Sequence, residues 1–243
     1  MYIGWKNAVR YLLHICFPRT CAACGCDLPW QAEEFLCKNC ASQLVHPGLI
    51  CRRCGVELPS GGAHCYACRG SKSKQYKCRL IRTAWVFNTP SRALVHELKY
   101  KGADYMAAYM GKQMAQAFCR YAELACAEIV VPVPLFPAKL RARGYNQSEC
   151  LAASFAKHTG LPLACAVLKR TRNTTSQTKL NRQQRLTNMV GAFVCARPQQ
   201  VRGKVVLLVD DVVTTGATLE GCATALKAAG AKQVLAYAYA REN

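Results

Sequence analysis

The chain has 243 residues, with 33 Lys and Arg against 13 Asp and Glu, for a formal charge of +20. With 51% hydrophobic residues it can bury a sizeable core in one to two domains. No apolar run reaches the ~18 residues of a spanning helix, so no membrane span is expected, and the basic balance points to phosphorylated or polyanionic partners.

Residues 1–20 come first. Ile3, Val9, Leu12, Leu13 and Cys16 fall on one helical face, and Pro18 ends the pattern, so an amphipathic helix is expected. Lys6, Arg10 and His14 interrupt the apolar residues and break any signal-peptide pattern. A cytoplasmic location is therefore expected. There the 17 cysteines are not read as a disulfide framework.

Residues 21–70 carry eight of those cysteines as four C-x-x-C pairs: Cys21/Cys24, Cys37/Cys40, Cys51/Cys54 and Cys65/Cys68. One pair presents two thiolates from one turn, and two pairs complete a tetrahedral zinc site. Cys51 and Cys54 repeat Cys21 and Cys24 at a period of 30 residues, and Gly25 and Gly55 follow each second cysteine. This predicts an internal duplication, two tandem zinc ribbons holding two structural Zn2+. Local repetition favours sequential pairing, with interleaving as the alternative. Redox C-x-x-C motifs normally stand alone at a helix start, which argues against that chemistry. Cys26 has the wrong spacing for the repeat.

A polar linker, Gly70-Ser-Lys-Ser-Lys-Gln, leads to a domain over residues 78–243. The pattern predicts strand 81–87, helices 91–99 and 104–125, strand 128–133, helix 146–157 and strand 166–169. Strand 204–209, helix 218–229 and strand 233–239 follow. Alternating strands and helices imply an α/β fold with a mainly parallel sheet and right-handed crossovers.

The most informative run within it is Val205–Thr218, V-V-L-L-V-D-D-V-V-T-T-G-A-T. Five apolar residues suit a strand buried on both faces. The following turn opens a helix whose first N–H groups are unpaired, which makes a phosphate cradle. Gly216 lets the backbone approach the anion, Thr214, Thr215 and Thr218 add hydroxyl donors, and Ala217 continues the cradle. Asp210 and Asp211 stand just before it, where carboxylates accept hydrogen bonds from a sugar diol. A ribose 5-phosphate fits this order of groups. The run is similar to the phosphoribosyl pyrophosphate signature of type I phosphoribosyltransferases.

Two basic stretches complete the reading. Pro132–Gln147 holds three prolines in its first six residues, then Lys139, Arg141 and Arg143, cations suited to a pyrophosphate leaving group. Residues 170–193 carry Arg170, Arg172, Lys179, Arg182 and Arg185 in a long connection, which reads as a basic lid that excludes water.

In order along the chain, several motifs resemble the ComF family: the C-x-x-C pairs, His96-Glu-Leu-Lys-Tyr-Lys, Pro132-Val-Pro-Leu and Lys139-Leu-Arg-Ala-Arg-Gly-Tyr-Asn-Gln. Gln177…Leu180…Arg185…Asn188…Gly191-Ala-Phe and the Asp210-Asp211 loop complete the set. The resemblance implies a type I phosphoribosyltransferase-like parallel sheet with helices on both faces, preceded by a small tandem zinc-ribbon domain. It implies phosphoribosyl pyrophosphate as ligand, with Mg2+ bridging the ribose hydroxyls and the pyrophosphate. Asp210 and Asp211 would then act catalytically, holding the diol and stabilising charge on the sugar. Lys99, Lys101, Arg141 and Arg143 would neutralise pyrophosphate. It further implies a link to natural competence and DNA uptake.

The acceptor nucleophile is not legible. Three readings stand: a phosphoribosyltransferase, a non-catalytic sensor of the same ligand, and a factor whose main contact is single-stranded DNA or competence-machinery proteins. For the last, Arg52, Arg53, Arg69, Lys72, Lys74 and Lys77 would follow a phosphate backbone, with Tyr66 and Tyr76 stacking on bases.

Overall fold

The computed structural model describes residues 14–69, 76–100, 103–172 and 191–242. Most of the amino-terminal helix, the linker from Gly70, Lys101 and the lid residues 173–190 lie outside the described residues.

The eight paired cysteines build two knuckles with the same backbone bonds 30 residues apart. Gly25 N–H donates to Cys21 O and Gly55 N–H to Cys51 O. Leu28 N–H donates to Arg19 O and Leu58 N–H to Leu49 O. The isolated bridges Thr20–Asp27 and Ile50–Glu57 repeat at the same interval. A short helix, α1 (Lys38–Ser42), carries Cys40, and the Cys37 side chain accepts from Cys40 N–H at its start.

Strand β1 (Cys78–Val86) begins the α/β region, and α2 (Thr89–Tyr100) and α3 (Ala103–Phe118) follow. Then come β2 (Ile129–Pro132), α4 (Pro137–Arg143) and α5 (Gln147–Thr159). Strands β3 (Leu168–Arg170) and β4 (Phe193–Cys195) precede β5 (Val205–Val213), α6 (Ala217–Ala228) and β6 (Gln233–Arg241). β1, β6, β5 and β2 form one parallel sheet in that order, while β3 and β4 pair antiparallel apart from it.

Both faces of the sheet are covered. Leu207, Val209, Leu235, Tyr237 and Tyr239 pack with Leu94, Leu98, Met110, Met114 and Phe155 from α2, α3 and α5. Val206, Leu208, Val234, Ala236 and Ala238 pack with Leu219, Cys222 and Leu226 of α6. Successive side chains of a strand point to opposite faces, so a continuous apolar run is what two covered faces require.

The elements differ from the sequence expectation in four places. β5 runs on to Val213, past the expected end at Val209, because its carboxyl half pairs with β6 as far as Arg241. The two acids therefore sit within the strand. The helix expected over 104–125 stops at Phe118, and a 3-10 turn at Ala122–Leu124 finishes it. Residues 137–143, for which no element was expected, form a helix with Pro137 in its first turn, where a missing N–H costs nothing. β4 was not expected, since three residues give too short a pattern.

The tandem ribbons lie along β1, the outer strand of the sheet. Ile81 N–H donates to Arg53 O at 2.8 Å, and Val86 N–H donates to Val45 O at 2.9 Å. His46 Nδ1 lies 2.8 Å from Ala84 O, and its ring stacks on Trp85 at 4.2 Å. Gly55 has φ +73, and a Cβ there would lie 2.5 Å from Ile81 O, so both conformation and closeness demand glycine. The first ribbon also reaches α3. Phe35 stacks on Tyr105 at 6.1 Å and meets Tyr109 edge-on at 5.3 Å.

Candidate functional site

Asp210 and Asp211 are buried, at 7% and 5% exposure, near the carboxyl end of a central strand. Ligands gather at that end of open parallel sheets. Neighbouring strand residues project to opposite sides, and the two carboxylates accordingly have different partners. Ser148 Oγ donates to Asp210 Oδ1 at 2.8 Å. Lys99 Nζ, in the last turn of α2, lies 2.8 Å from Asp211 Oδ2. Asp211 N–H donates to Asp210 Oδ1 at 3.0 Å, and Val212 N–H donates to Asp211 Oδ1 at 2.8 Å. Burial first, and the adjacent Asp211 second, push the Asp210 carboxyl up to about 8.

Ser148 reaches Asp210 because Asn146 caps α5. The Asn146 side chain accepts from Ser148 N–H and donates through Nδ2 to Val133 O at 3.0 Å. The cap fixes the first turn of α5 against the end of β2, and Ser148 follows from that placement.

Thr214, Thr215 and Gly216 turn the chain from β5 into α6. Gly216 is the N-cap with φ +81, and no side chain caps the helix. A Cβ at Gly216 would meet Ile81 Cδ1 at 3.0 Å. Thr215 Oγ1 accepts a long bond of 3.4 Å from Ala217 N–H. Thr214 is exposed, and Thr215 and Thr218 are half-buried. The first-turn N–H groups of this 12-residue helix thus face outward beside hydroxyls, the arrangement expected of an anion cradle.

Further cations lie near Lys99. Arg143 Nη1 donates to Gln147 Oε1 at 2.5 Å and lies 5.7 Å from the Tyr100 ring. Desolvation, and then the charges of Arg170, Arg143 and Lys99, pull the Lys139 ammonium below its ordinary value. Those four cations therefore share one neighbourhood. Burial lowers the Arg170 guanidinium, while Cys222 and Asp210 act against that shift. Of the expected cations, Lys99 and Arg143 are brought together here. Arg141 lies on the same helix as Arg143 and is exposed, with no contact to the acid pair among the described residues.

Away from this site, the thiols form two groups, Cys21, Cys24, Cys37 and Cys40, and Cys51, Cys54, Cys65 and Cys68. In each group the sulfurs lie within 4.8 Å of one another. The grouping is sequential. Burial works against the Cys21 thiolate, but N–H bonds from Cys37, Cys24 and Ala23 draw the thiol down to about 6. A hydrogen bond from Cys54 lowers Cys68 in the second group. Four close thiols, with Cys21 and Cys37 in the first group and Cys68 in the second drawn toward the thiolate, are a donor set that suits Zn2+.

Comparison with known proteins agrees with both regions. Residues 146–243 match the phosphoribosyl transferase domain, and residues 12–69 match the double zinc ribbon domain. Competence protein F of Haemophilus influenzae is 27% identical over 214 residues, covering 86% of this chain and 92% of that protein. The DNA utilization protein YhgH of Salmonella typhimurium is 29% identical over 220 residues, covering 89% and 95%. Over most of its length the chain is similar to the ComF, ComFC and YhgH homologues. Competence protein ComFC of Bacillus subtilis is 25% identical over 211 residues, covering 82% of this chain and 83% of that protein. The chain joins a type I phosphoribosyltransferase fold to zinc-ribbon cysteines. The two cysteine clusters and the double zinc ribbon domain support structural zinc. No described helix is long and apolar enough to cross a membrane.

Sequence reasoning missed Ser148 and did not place Arg170 near Asp210 or Lys139 among the neighbouring cations. Ser148 bonds a residue 62 positions away, and no local pattern announces such a contact. The basic character of the two stretches holding Lys139 and Arg170 was the signal available for them.

Proposed function

We propose that the chain binds phosphoribosyl pyrophosphate with Mg2+ and acts as a phosphoribosyltransferase. The observation that carries this reading is the buried Asp210–Asp211 pair near the end of β5, which leads through Thr214 and Thr215 into an uncapped helix N-terminus. The 5′-phosphate would sit on the N–H groups of residues 214–218, with hydroxyls from Thr214, Thr215 and Thr218. The ribose hydroxyls would be held by Asp210 and Asp211. Lys99 and Arg143, joined by Lys101 and Arg141, would neutralise the pyrophosphate, and Lys139 and Arg170 would add to that field.

The acid pair fits a divalent cation. Its two carboxylates are adjacent and buried, and burial, then the charge of Asp211, push Asp210 up to about 8. Mg2+ would supply charge neutralisation at the pyrophosphate and the ribose diol. The chain's own residues orient the sugar. The names of the homologues favour a role in competence and DNA utilization. The reduced thiols that zinc ribbons need favour a cytoplasmic setting.

Calorimetric titration with phosphoribosyl pyrophosphate tests the reading. Binding is expected only with Mg2+, and the double variant Asp210→Ala, Asp211→Ala should abolish it while the melting temperature holds. Unchanged affinity in that variant would remove the claim.

The pH dependence has a definite sign. Asp210 is raised above its ordinary value of 3.8 to about 8, so the folded, ligand-free protein holds this proton more tightly than the unfolded chain. Its stabilising effect is complete below about pH 4 and is lost as pH rises through about 8. Affinity for the cation-bound ligand should rise over the same range as the carboxylate ionises. Asp210→Asn should flatten both profiles, and urea midpoints against pH read the first of them.

A further inference from the structure

The first cysteine cluster has a fifth thiol beside it. Cys26 follows Gly25 in the first knuckle, and 30 residues on its place is taken by Val56. Cys21 N–H donates to Cys26 O at 2.7 Å, and Gly25 N–H donates to Cys21 O at 2.8 Å. The backbone of the turn thus holds Cys26 at the cluster. Its thiol interacts with the thiols of both Cys24 and Cys37. Those two sulfurs are themselves 3.8 Å apart. Three neighbouring thiols therefore stand where zinc, already offered Cys21 and Cys40, needs two.

The surplus thiol lies on the open side of the site. Cys24 and Cys26 are exposed and Cys37 is half-buried, and a Cβ on Gly25 would meet nothing within 4 Å. Small solutes reach this side from solvent. In the second ribbon Cys51, Cys54 and Cys68 are at most 2% exposed, and Val56 packs on them in place of a thiol. The two sites thus differ in what governs oxidation, an accessible thiolate with another thiol within reach.

Exposure singles out Cys24 as the sulfur attacked. Cys21 and Cys40 are buried. Cys40 N–H donates to Cys37 Sγ at 3.4 Å, a bond that draws charge from that thiolate and lowers its nucleophilicity. Cys24 and Cys26 are two residues apart, so their Cα atoms lie at most ~7 Å from each other. Gly25, with φ +75, folds the chain between them, which suits the ~4.4–6.8 Å that a disulfide spans.

We propose that Cys24 and Cys26 form an oxidation site for hydroperoxides on the first ribbon, where a disulfide withdraws Cys24 from the zinc ligands while the second ribbon is spared. The Cys24 thiolate attacks the O–O bond of the hydroperoxide and gives up two electrons. A sulfenic acid forms, and the alkoxide leaves (hydroxide in the case of hydrogen peroxide). The Cys26 sulfur then displaces the hydroxyl: the S–S bond forms, the S–O bond breaks, and the Cys26 proton leaves with the hydroxyl as water. Three thiolates remain, one short of the closed tetrahedral set. A dithiol reductant returns the two electrons and restores the fourth. None of this draws on the sugar-phosphate site.

Hydrogen peroxide applied to the zinc-loaded full chain tests the proposal. Released zinc is read with a colorimetric chelator, and disulfides are mapped by peptide mass spectrometry. One of the two zinc ions should be released together with formation of a Cys24–Cys26 disulfide, and dithiothreitol with added zinc should reverse both. Cys26→Ser should still load two zinc ions, but its Cys24 should pass on to the sulfinic acid, and recovery by dithiothreitol should fall at least about tenfold. Cys26→Val, which copies the second ribbon, should behave alike and keeps the test decisive should serine disturb the turn. Cys119→Ser and Cys126→Ser, which remove exposed thiols elsewhere, should match the parent. Simultaneous loss of both zinc ions, or a disulfide within a C-x-x-C pair, would overturn the proposal. So would full recovery of the Cys26 variants, or their loading with a single zinc ion, which would make Cys26 a ligand.

Discussion

The two ribbons share a sequence repeat and a backbone pattern, yet they are held in different ways. Leu28, Leu36 and Cys40 of the first belong to the main core, in one cluster with Leu94, Met110 and Phe155. The second has a small core of its own, Cys51, Cys54 and Cys68 with Val56 and Leu58 beside them. Its attachments are largely polar. Arg53 lies 3.8 Å from Glu220, a residue in the first turn of α6 that also accepts from Lys77 and Cys78 N–H. Duplication therefore copied the metal site but not the packing. Apolar burial can hold a segment without its metal, whereas a cluster of thiols with few neighbours cannot.

Metal removal should break the symmetry most. Structural zinc contributes on the order of 10 kcal/mol to a small ribbon. Chelation should bring amide exchange in residues 51–68 to the unfolded rate, while residues 21–40 keep part of their protection through Leu28 and Leu36. The sheet should remain folded in both cases. A melting curve indifferent to chelator would dismiss structural zinc. Equal loss of protection in both ribbons would show that the apolar docking of the first contributes little.

A smaller effect sharpens the same contrast at equivalent positions. Gly25 and Gly55 both have positive φ, +75 and +73, so alanine is strained at either. A Cβ at Gly25 meets nothing within 4 Å, whereas one at Gly55 collides with Ile81 O. Gly25→Ala should cost about 1 kcal/mol in denaturant unfolding, and Gly55→Ala about 2–4 kcal/mol, because strain and overpacking add there. Equal costs would mean that the second ribbon shifts freely on β1.

What could be read from the sequence follows the distance over which each feature is built. The thiol pairs, the 30-residue repeat and the strand-to-helix phosphate loop are local, and each was legible. The acids were legible as residues, but their place within β5 was not, since it depends on pairing with β6. Lys99 meeting Asp211 and Ser148 meeting Asp210 arise only when α2 and α5 pack on the same sheet. The α4 helix escaped notice because Pro132, Pro134 and Pro137 signal a turn as readily as a helix start. The contact between the second ribbon and β1 had no sequence signature beyond Gly55.

The hydrogen bonds that β1 donates to Arg53 O and Val45 O have a consequence for the protein as a solute. β1 is an edge strand, and an open edge is a template for pairing with another chain. Here the row is partly closed by the ribbons, and Gly55 allows the close approach. Zinc, bound to side chains that never enter the sheet, thereby guards the sheet's outer border. A molecule stripped of its metal would keep its α/β core and expose an adhesive edge, so its first failure should be self-association and not loss of the fold.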